Sequence, residues 1–209
     1  MINKEGQTCL TKIAVLVSGG GTNLQALIDG APYKNGVLSF VLSSRPDAFA
    51  LERAKKAGIE TLVLEPKAYG DRAGFTGAVV DALLERDIGL VVFGGFMFIL
   101  TPRFAETFAG RAVNVHPSLI PAFCGKGFYG LRVHKAALDY GVKVTGATVH
   151  FVTAGTDEGP VIAQKAVDIL PDDTPESLQR RVMEECEQPL LVKAVRDFCL
   201  SELKSLPGK

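Results

Sequence analysis

The sequence has no tryptophan, only four cysteines, and no excess of charge of either sign. Lys plus Arg number 23 and Asp plus Glu number 23, so the charges balance. Nucleic-acid-binding proteins usually carry a basic excess, so this balance argues against a nucleic-acid partner. We expect residues 1–209 to form one domain, with a ragged N-terminus over residues 1–11 and a flexible tail over residues 200–209.

From its sequence pattern we also expect no membrane span, no signal peptide and no paired-cysteine motif. Its longest uncharged stretch, residues 88–102, is shorter than the ~18 apolar residues of a membrane helix and contains glycines and a proline. The first eleven residues are too polar for a signal peptide. The cysteines are far apart, without a C-x-x-C motif, which favours a reduced, cytoplasmic protein without a zinc site.

Short apolar runs typical of buried strands alternate with segments of helical periodicity. The strand-like runs cover residues 13–17, 37–42, 61–64, 88–93 and 113–115. The helical segments between them cover residues 24–28, 48–57 with Asp47 as N-cap, 71–86, and a short helix from residue 101. Repeated β-α-β units predict an α/β fold with an open, mostly parallel, Rossmann-like sheet and helices on both faces.

The pattern changes after a helix predicted over residues 131–140. Residues 144–152 and 161–169 are strand-like with no helix between them, which predicts antiparallel strands added at the C-terminal side of the sheet. Residues 172–203 are polar and helical, and should cover the sheet. The long, glycine-rich loop over residues 117–130 is of a kind that is often functional.

A glycine turn, Ser18-Gly-Gly-Gly-Thr-Asn23, joins the first strand to the first helix. Backbone N–H groups and the helix dipole at such a turn suit a phosphate, although a tight turn without a ligand is the alternative. The Walker pattern is absent, Leu24 stands where a dinucleotide fingerprint needs glycine, and residues 43–45 lack its acidic residue. A monophosphate therefore fits better than a dinucleotide.

Asn114 and His116 are two residues apart on the fifth predicted strand, so their side chains should project from the same face. An amide beside an imidazole suits stabilisation of an oxyanion and proton transfer, although a histidine before proline can be purely structural. Asp157 lies in a turn-rich loop that could reach His116 and assist proton transfer, or could simply be solvated.

The other two histidines lack metal-ligand spacing to His116, so we expect no metal. His134 is expected on the surface of its helix, and His150 packed or paired within a strand.

These motifs resemble those of the phosphoribosylglycinamide formyltransferase family, folate-dependent enzymes of purine biosynthesis. The similarity extends over residues 12–195 and rests on residues 18–25, 47–57, 95–100, 114–121 and 150–160. The Asn-x-His-Pro-Ser block is similar to that of formyltetrahydrofolate-using transferases in general, and the glycine turn singles out the glycinamide ribonucleotide enzymes.

The resemblance implies a role for each matching position. Asn114, His116 and Asp157 match the catalytic trio, and the ribonucleotide phosphate would be bound by Gly21, Thr22 and Asn23. The family's substrate-contacting glutamate falls on Glu185 or Glu187, of which we prefer Glu187. The positions that match the 10-formyltetrahydrofolate site are Arg72, Met97, Phe98, Ile99, Leu100, Asn114, Thr153, Ala154, Gly155, Thr156 and Asp157.

Two departures from the family pattern affect this site. Many relatives have a polar residue where Phe98 stands, so its contact must be apolar or through the backbone. Residues 124–130 form a longer stretch than in the shortest relatives, which suggests a lid.

The implied reaction is direct attack of the substrate's primary amine on the formyl carbon of 10-formyltetrahydrofolate. Asn114 and His116 would stabilise the oxyanion, and Asp157 would assist proton transfer. The expected partners are small molecules, with no nucleic acid and no membrane, and the chain is expected to be a monomer or homodimer.

Three alternatives have different consequences. Formyltetrahydrofolate deformylases use a similar trio with water as acceptor but carry an additional N-terminal domain. Methionyl-tRNA formyltransferases carry an additional C-terminal domain and favour a basic surface. A non-catalytic ribonucleotide-binding protein would keep the glycine turn but would have no need of the trio.

Overall fold

A computed structural model describes residues 10–200, which form a seven-stranded sheet in the order β3-β2-β1-β4-β5-β6-β7. The strands are β1 (Thr11–Val17), β2 (Gly36–Ser43), β3 (Glu60–Val63), β4 (Leu90–Phe93), β5 (Ala112–His116), β6 (Val144–Phe151) and β7 (Val161–Asp168). The α-helices are α1 (Thr22–Asp29), α2 (Ala50–Lys56), α3 (Arg72–Leu84), α4 (Pro102–Thr107), α5 (Leu131–Tyr140), α6 (Pro175–Val182) and α7 (Gln188–Cys199). A 3₁₀ turn covers Pro66–Tyr69, and a π-helical segment, Met183–Glu187, joins α6 to α7.

The first five strands are parallel and the last two are antiparallel additions. β1 pairs in parallel with β2 and β4, β2 with β3, and β4 with β5. β6 then runs antiparallel to both β5 and β7. The predicted α/β class, with an open Rossmann-like sheet and antiparallel strands at its C-terminal side, is confirmed.

The core lies in two layers, one on each face of the sheet. Alternate residues of β1 divide between them: Ile13 and Val15 pack in the layer that includes α1 and α7, whereas Ala14 and Leu16 pack in the layer that includes α3 and α4. Because both faces of the central strand are covered, β1 shows a continuous apolar run rather than strict alternation.

The helix boundaries confirm some predicted end signals and correct one. α5 ends before Gly141, whose φ of +80° suits a glycine C-cap. The prediction that Asp47 caps α2 is wrong, because that helix is preceded by Phe49. Asp47 instead accepts two hydrogen bonds from the guanidinium of Arg45, at 2.6 and 2.9 Å. Its carboxylate is therefore paired with a side chain that precedes the helix and not with the backbone N–H groups of α2.

The ends of the chain lie mostly outside the described residues. The ragged N-terminus predicted over residues 1–11 and the flexible tail predicted over residues 200–209 are therefore mostly untested. Thr11, however, already belongs to β1. Cys9 is also outside, whereas the three cysteines within residues 10–200 are free thiols. Over the same residues, no helix combines the length and apolarity needed to cross a membrane.

Candidate active site

Three neighbouring strands bring the predicted site segments to one edge of the sheet. β1, β4 and β5 lie side by side in parallel, so their carboxyl ends meet at that edge. The glycine turn follows β1, residues 94–100 follow β4, and Asn114 and His116 lie at the end of β5. Open parallel sheets place their ligand sites at such an edge.

The glycine turn holds the N-terminus of α1 close to α2. Gly21 has a φ of +70°, and a Cβ at this position would lie 2.6 Å from the Cβ of Ala50. Among the described residues, no side chain caps α1. Arg53 donates to the carbonyl of Gly20 at 2.9 Å, so a cation lies beside the free N–H groups of the turn. This arrangement suits an anion.

Substituting Gly21→Ala is expected to destabilise the protein by at least about 1–2 kcal/mol, because alanine is strained in the left-handed region and would collide with Ala50. Gly19→Ala is the matched control, since a Cβ at Gly19 meets nothing within 4 Å. Urea denaturation of both variants measures the difference. Equal stability of the two variants would contradict the close approach.

His116 is buried and contacts oxygen atoms at both ring nitrogens. Its Nδ1 lies 3.5 Å from Oδ2 of Asp157, and its Nε2 lies 3.0 Å from the carbonyl oxygen of Phe123. Because a carbonyl can only accept, Nε2 carries the proton of the neutral ring, and a protonated ring would donate to both oxygens. Gly125 also donates to Asp157, at 2.9 Å, so the 117–130 loop contacts both His116 and Asp157.

The backbone is strained at both residues that contact the His116 ring. Phe123 has a φ of +50° and Asp157 a φ of +58°. Positive φ is uncommon outside glycine and is an outlier for a bulky residue such as phenylalanine. Such strain concentrates at functional sites, where the surrounding structure enforces it.

His150 belongs to the same cluster, a contact that the sequence analysis missed although its expectation of a paired strand histidine is confirmed. Its Nε2 lies 3.1 Å from Nδ2 of Asn114 and 3.6 Å from Oδ1 of Asp157. Burial opposes ionisation of Asp157, but contact with His150, the nearby His116 and the Gly125 N–H outweigh it and lower the pKa of this carboxyl. The carboxylate is therefore the form that His116 faces near neutral pH.

A cavity of about 630 Å³ joins the glycine turn to this cluster. Its lining includes Thr22, Asn23, Met97, Phe98, Ile99, Asn114, His116, residues 125–130, His134, Thr156, Asp157 and Glu187. A smaller cleft of about 130 Å³ adjoins it and is lined by residues that include Phe98, Ile99, Leu100, Asn114, His150 and residues 152–157. Asn114 and Asp157 line both, so they lie where the two spaces meet.

Most predicted site residues thus come together, and two stand apart. Thr153, Ala154 and Gly155 lie in the smaller cleft, and Phe98 packs edge-on against Phe75 with ring centroids 5.7 Å apart. Two predicted site residues, Gly21 and Arg72, are outside the lining of both spaces. Gly21 contributes its positive φ to the glycine turn. Arg72 is exposed and is the first residue of α3.

The two candidate glutamates lie in different surroundings within the π-helical segment. Glu187 is buried, lines the larger cavity and accepts a hydrogen bond from Asn23 at 3.2 Å, whereas Glu185 is exposed. Burial raises the pKa of Glu187 to about 7, despite the opposing effect of the Asn23 hydrogen bond. Isolated π-helical turns occur frequently at functional sites.

Since the pKa of Glu187 is raised in the folded protein, its contribution to stability is present below the usual value of 4.5 and is lost as the pH rises through about 7. Glu187→Gln should therefore gain stability relative to wild type between about pH 5 and about pH 8. Urea denaturation at both pH values measures this change. Glu185→Gln is the control, and a pH-independent difference for Glu187→Gln would contradict the raised pKa.

The expectation that His134 lies on a helix surface is wrong. The side chain is fully buried and lines the larger cavity. Burial of a helix residue depends on tertiary packing, and α5, which carries His134, packs against α6. Residues 10–200 contain no group of three or more His, Cys, Asp or Glu side chains arranged to hold a metal ion.

Comparisons with known proteins identify the class as formyl transferase: the formyl transferase family profile matches residues 11–195. Phosphoribosylglycinamide formyltransferase of Escherichia coli is 39% identical over 189 residues, which cover 88% of this chain and 87% of that protein. The crystal structure of glycinamide ribonucleotide transformylase 1 from Symbiobacterium toebii matches with a TM-score of 0.86 and 42% identity, covering 95% of this chain and 92% of that one.

A further relative is much longer than this chain. The trifunctional purine biosynthetic protein adenosine-3 of Gallus gallus is 42% identical over 180 residues, which are 85% of this chain but 17% of that protein. The chain belongs to the phosphoribosylglycinamide formyltransferase family of enzymes.

Proposed function

We propose that the chain transfers the formyl group of 10-formyltetrahydrofolate to the primary amine of N1-(5-phospho-D-ribosyl)glycinamide, in purine biosynthesis. The observation that carries the proposal is the junction of two spaces at Asn114 and Asp157. A two-substrate transfer needs one space for each substrate and polar groups where they meet. The names of the relatives support this choice of reaction.

The larger cavity suits the ribonucleotide. The glycine turn offers free N–H groups, beside Thr22 and Asn23, to the phosphate. Glu187 lines the same cavity and would accept hydrogen bonds from the neutral part of the ligand. These contacts would direct the amine toward His116.

The smaller cleft suits the folate, which supplies the formyl group. Its lining combines aromatic and aliphatic side chains, including Phe98 and Leu100, with residues 153–156. A flat heterocycle with polar edges packs well in such a space. The side chain of Phe98 would contribute apolar contact, and Arg72 would bind from outside the cleft lining.

The residues at the junction, together with His116 beside it, would carry the chemistry. Asn114 would donate to the negative charge that develops on the formyl oxygen, and a protonated His116 would do the same once its Nε2–H turns from the carbonyl oxygen of Phe123 to the substrate. Each such donor is worth about 3 kcal/mol in other enzymes. Asp157 would orient the His116 ring, and its negative charge would stabilise the positive charge of the protonated imidazole. As the bond between the amine and the formyl carbon forms and the bond from that carbon to N10 of the folate breaks, His116 would assist the movement of the amine's proton to the leaving N10.

The test mixes the purified chain with 10-formyltetrahydrofolate, with and without glycinamide ribonucleotide, and follows the folate absorbance. We expect a change only when the ribonucleotide is present. A change without it would indicate a deformylase, and ribonucleotide binding without any change would indicate a non-catalytic binding protein. Cytoplasmic location and a monomeric or homodimeric state remain predictions.

A further inference from the structure

His134 is completely buried, yet neither ring nitrogen has a hydrogen-bond partner within residues 10–200. Buried polar side chains in folded proteins are almost always hydrogen-bonded, because an unpaired polar group loses its contacts with water and gains nothing in return. A histidine in this position therefore needs an explanation. An apolar residue of similar size would fill this buried position in α5 without leaving polar atoms unpaired.

Unpartnered buried side-chain atoms in the described part of the chain converge on one place. They are the two ring nitrogens of His134 and Oδ1 of Asn23. Both residues line the cavity of about 630 Å³, together with His116 and Glu187. Unrelated packing defects would be scattered through the fold, whereas these atoms border a single space. Their convergence indicates that the cavity is built for a ligand with several polar groups.

The charge state of His134 restricts the kind of group that it can bind. Burial, and then the nearby His116, lower the pKa of His134 to about 4, so the ring is neutral near pH 7. A neutral imidazole offers one donor and one acceptor, which suits a hydroxyl or an amide. It gives no charge attraction to a phosphate, which the glycine turn accommodates better.

We propose that His134 is an acceptor-binding residue that hydrogen-bonds to an uncharged hydroxyl or amide group of the ribonucleotide. The inference rests on the proposed function, since it takes the larger cavity as the ribonucleotide site. It adds a contact from α5 to those from α1 and the π-helical segment. Three elements would then hold the acceptor beside His116.

The test compares His134→Leu with wild type, because leucine has a similar volume and removes both polar atoms. The KM for the ribonucleotide should rise about tenfold, with kcat and the KM for folate changed less than about twofold. The Tm of the unliganded variant should be unchanged or higher, because an unpaired buried polar group has been removed. His134→Gln, which keeps a donor and an acceptor, should recover part of the ribonucleotide affinity.

Val133→Ala is the matched control. Val133 is a fully buried neighbour on α5 outside the cavity lining, so its truncation should lower the Tm and leave the KM for the ribonucleotide unchanged. A lower Tm with unchanged KM in His134→Leu would assign His134 to folding alone. Equal increases in both KM values would indicate a general disturbance of the site. Either result overturns the proposal.

Calorimetry with the ribonucleotide alone separates this proposal from the proposed function. Weaker binding to His134→Leu than to wild type supports the contact, and equal binding overturns it, whatever the rate of transfer. Formyl transfer by the wild-type chain in the same preparation tests the function itself. A wild type that neither transfers formyl nor binds the ribonucleotide overturns both.

Discussion

Substituting His116→Ala should lower kcat about 100-fold or more while leaving ribonucleotide binding near that of wild type. The variant loses the imidazole that contacts both Asp157 and the 117–130 loop, at 3.5 Å from Oδ2 of Asp157 and 3.0 Å from the carbonyl oxygen of Phe123. It retains the glycine turn, to which we assign the phosphate. Single-turnover kinetics measures the chemical step, and calorimetry measures binding.

Val113→Ala is the control for damage to β5. Val113 is buried on the other face of this strand, so its truncation should reduce stability while changing kcat less than about twofold. An undiminished kcat in His116→Ala would remove the imidazole from the mechanism. A comparable loss of kcat in Val113→Ala would attribute the effect to the strand.

Substituting Asp157→Asn should also lower kcat about 100-fold, because a neutral amide cannot balance positive charge on His116. The shape of the side chain is kept, and its remaining oxygen can still accept from Gly125. The variant should also change the pH–rate profile, since the lowered pKa of Asp157 keeps its negative charge beside His116 at neutral pH. Steady-state rates across the pH range measure both effects.

Glu158→Gln removes the same charge from the adjacent, exposed residue. It should leave kcat and the pH–rate profile close to those of wild type, because exposed charges are screened by solvent. Matching profiles for Asp157→Asn and wild type would show that no electrostatic coupling links Asp157 to His116. Equal losses in the two variants would indicate an effect of net charge on the loop.

The sequence alone was sufficient to predict the sheet and those parts of the site that lie at the end of a single strand. Alternating strand and helix patterns predicted the parallel sheet, because such local patterns follow from burial on both faces. The i and i+2 spacing of Asn114 and His116 follows from strand geometry alone. The glycine turn is likewise a local signal, since Gly21 has a positive φ and lies against Ala50.

Contacts between distant segments were harder to predict. His150 joins the cluster because β6 pairs with β5 in a register that sets it opposite Asn114, and register is not visible in a strand's own sequence. His134 is buried on α5, a helix that packs against the distant α6. Glu187, and not Glu185, lines the larger cavity within a π-helical turn, which shifts the helical register by one residue. Asp47 pairs with Arg45, and α2 begins after Phe49, later than the predicted cap implied.

The most direct test of the central claim follows the fate of a labelled formyl carbon. The wild-type chain is incubated with 10-formyltetrahydrofolate carrying ¹³C in the formyl group and with glycinamide ribonucleotide, and the products are separated by mass spectrometry. We predict that the label appears in the formylated ribonucleotide. Label recovered as formate, or left on the folate while the ribonucleotide stays unmodified, would contradict the account.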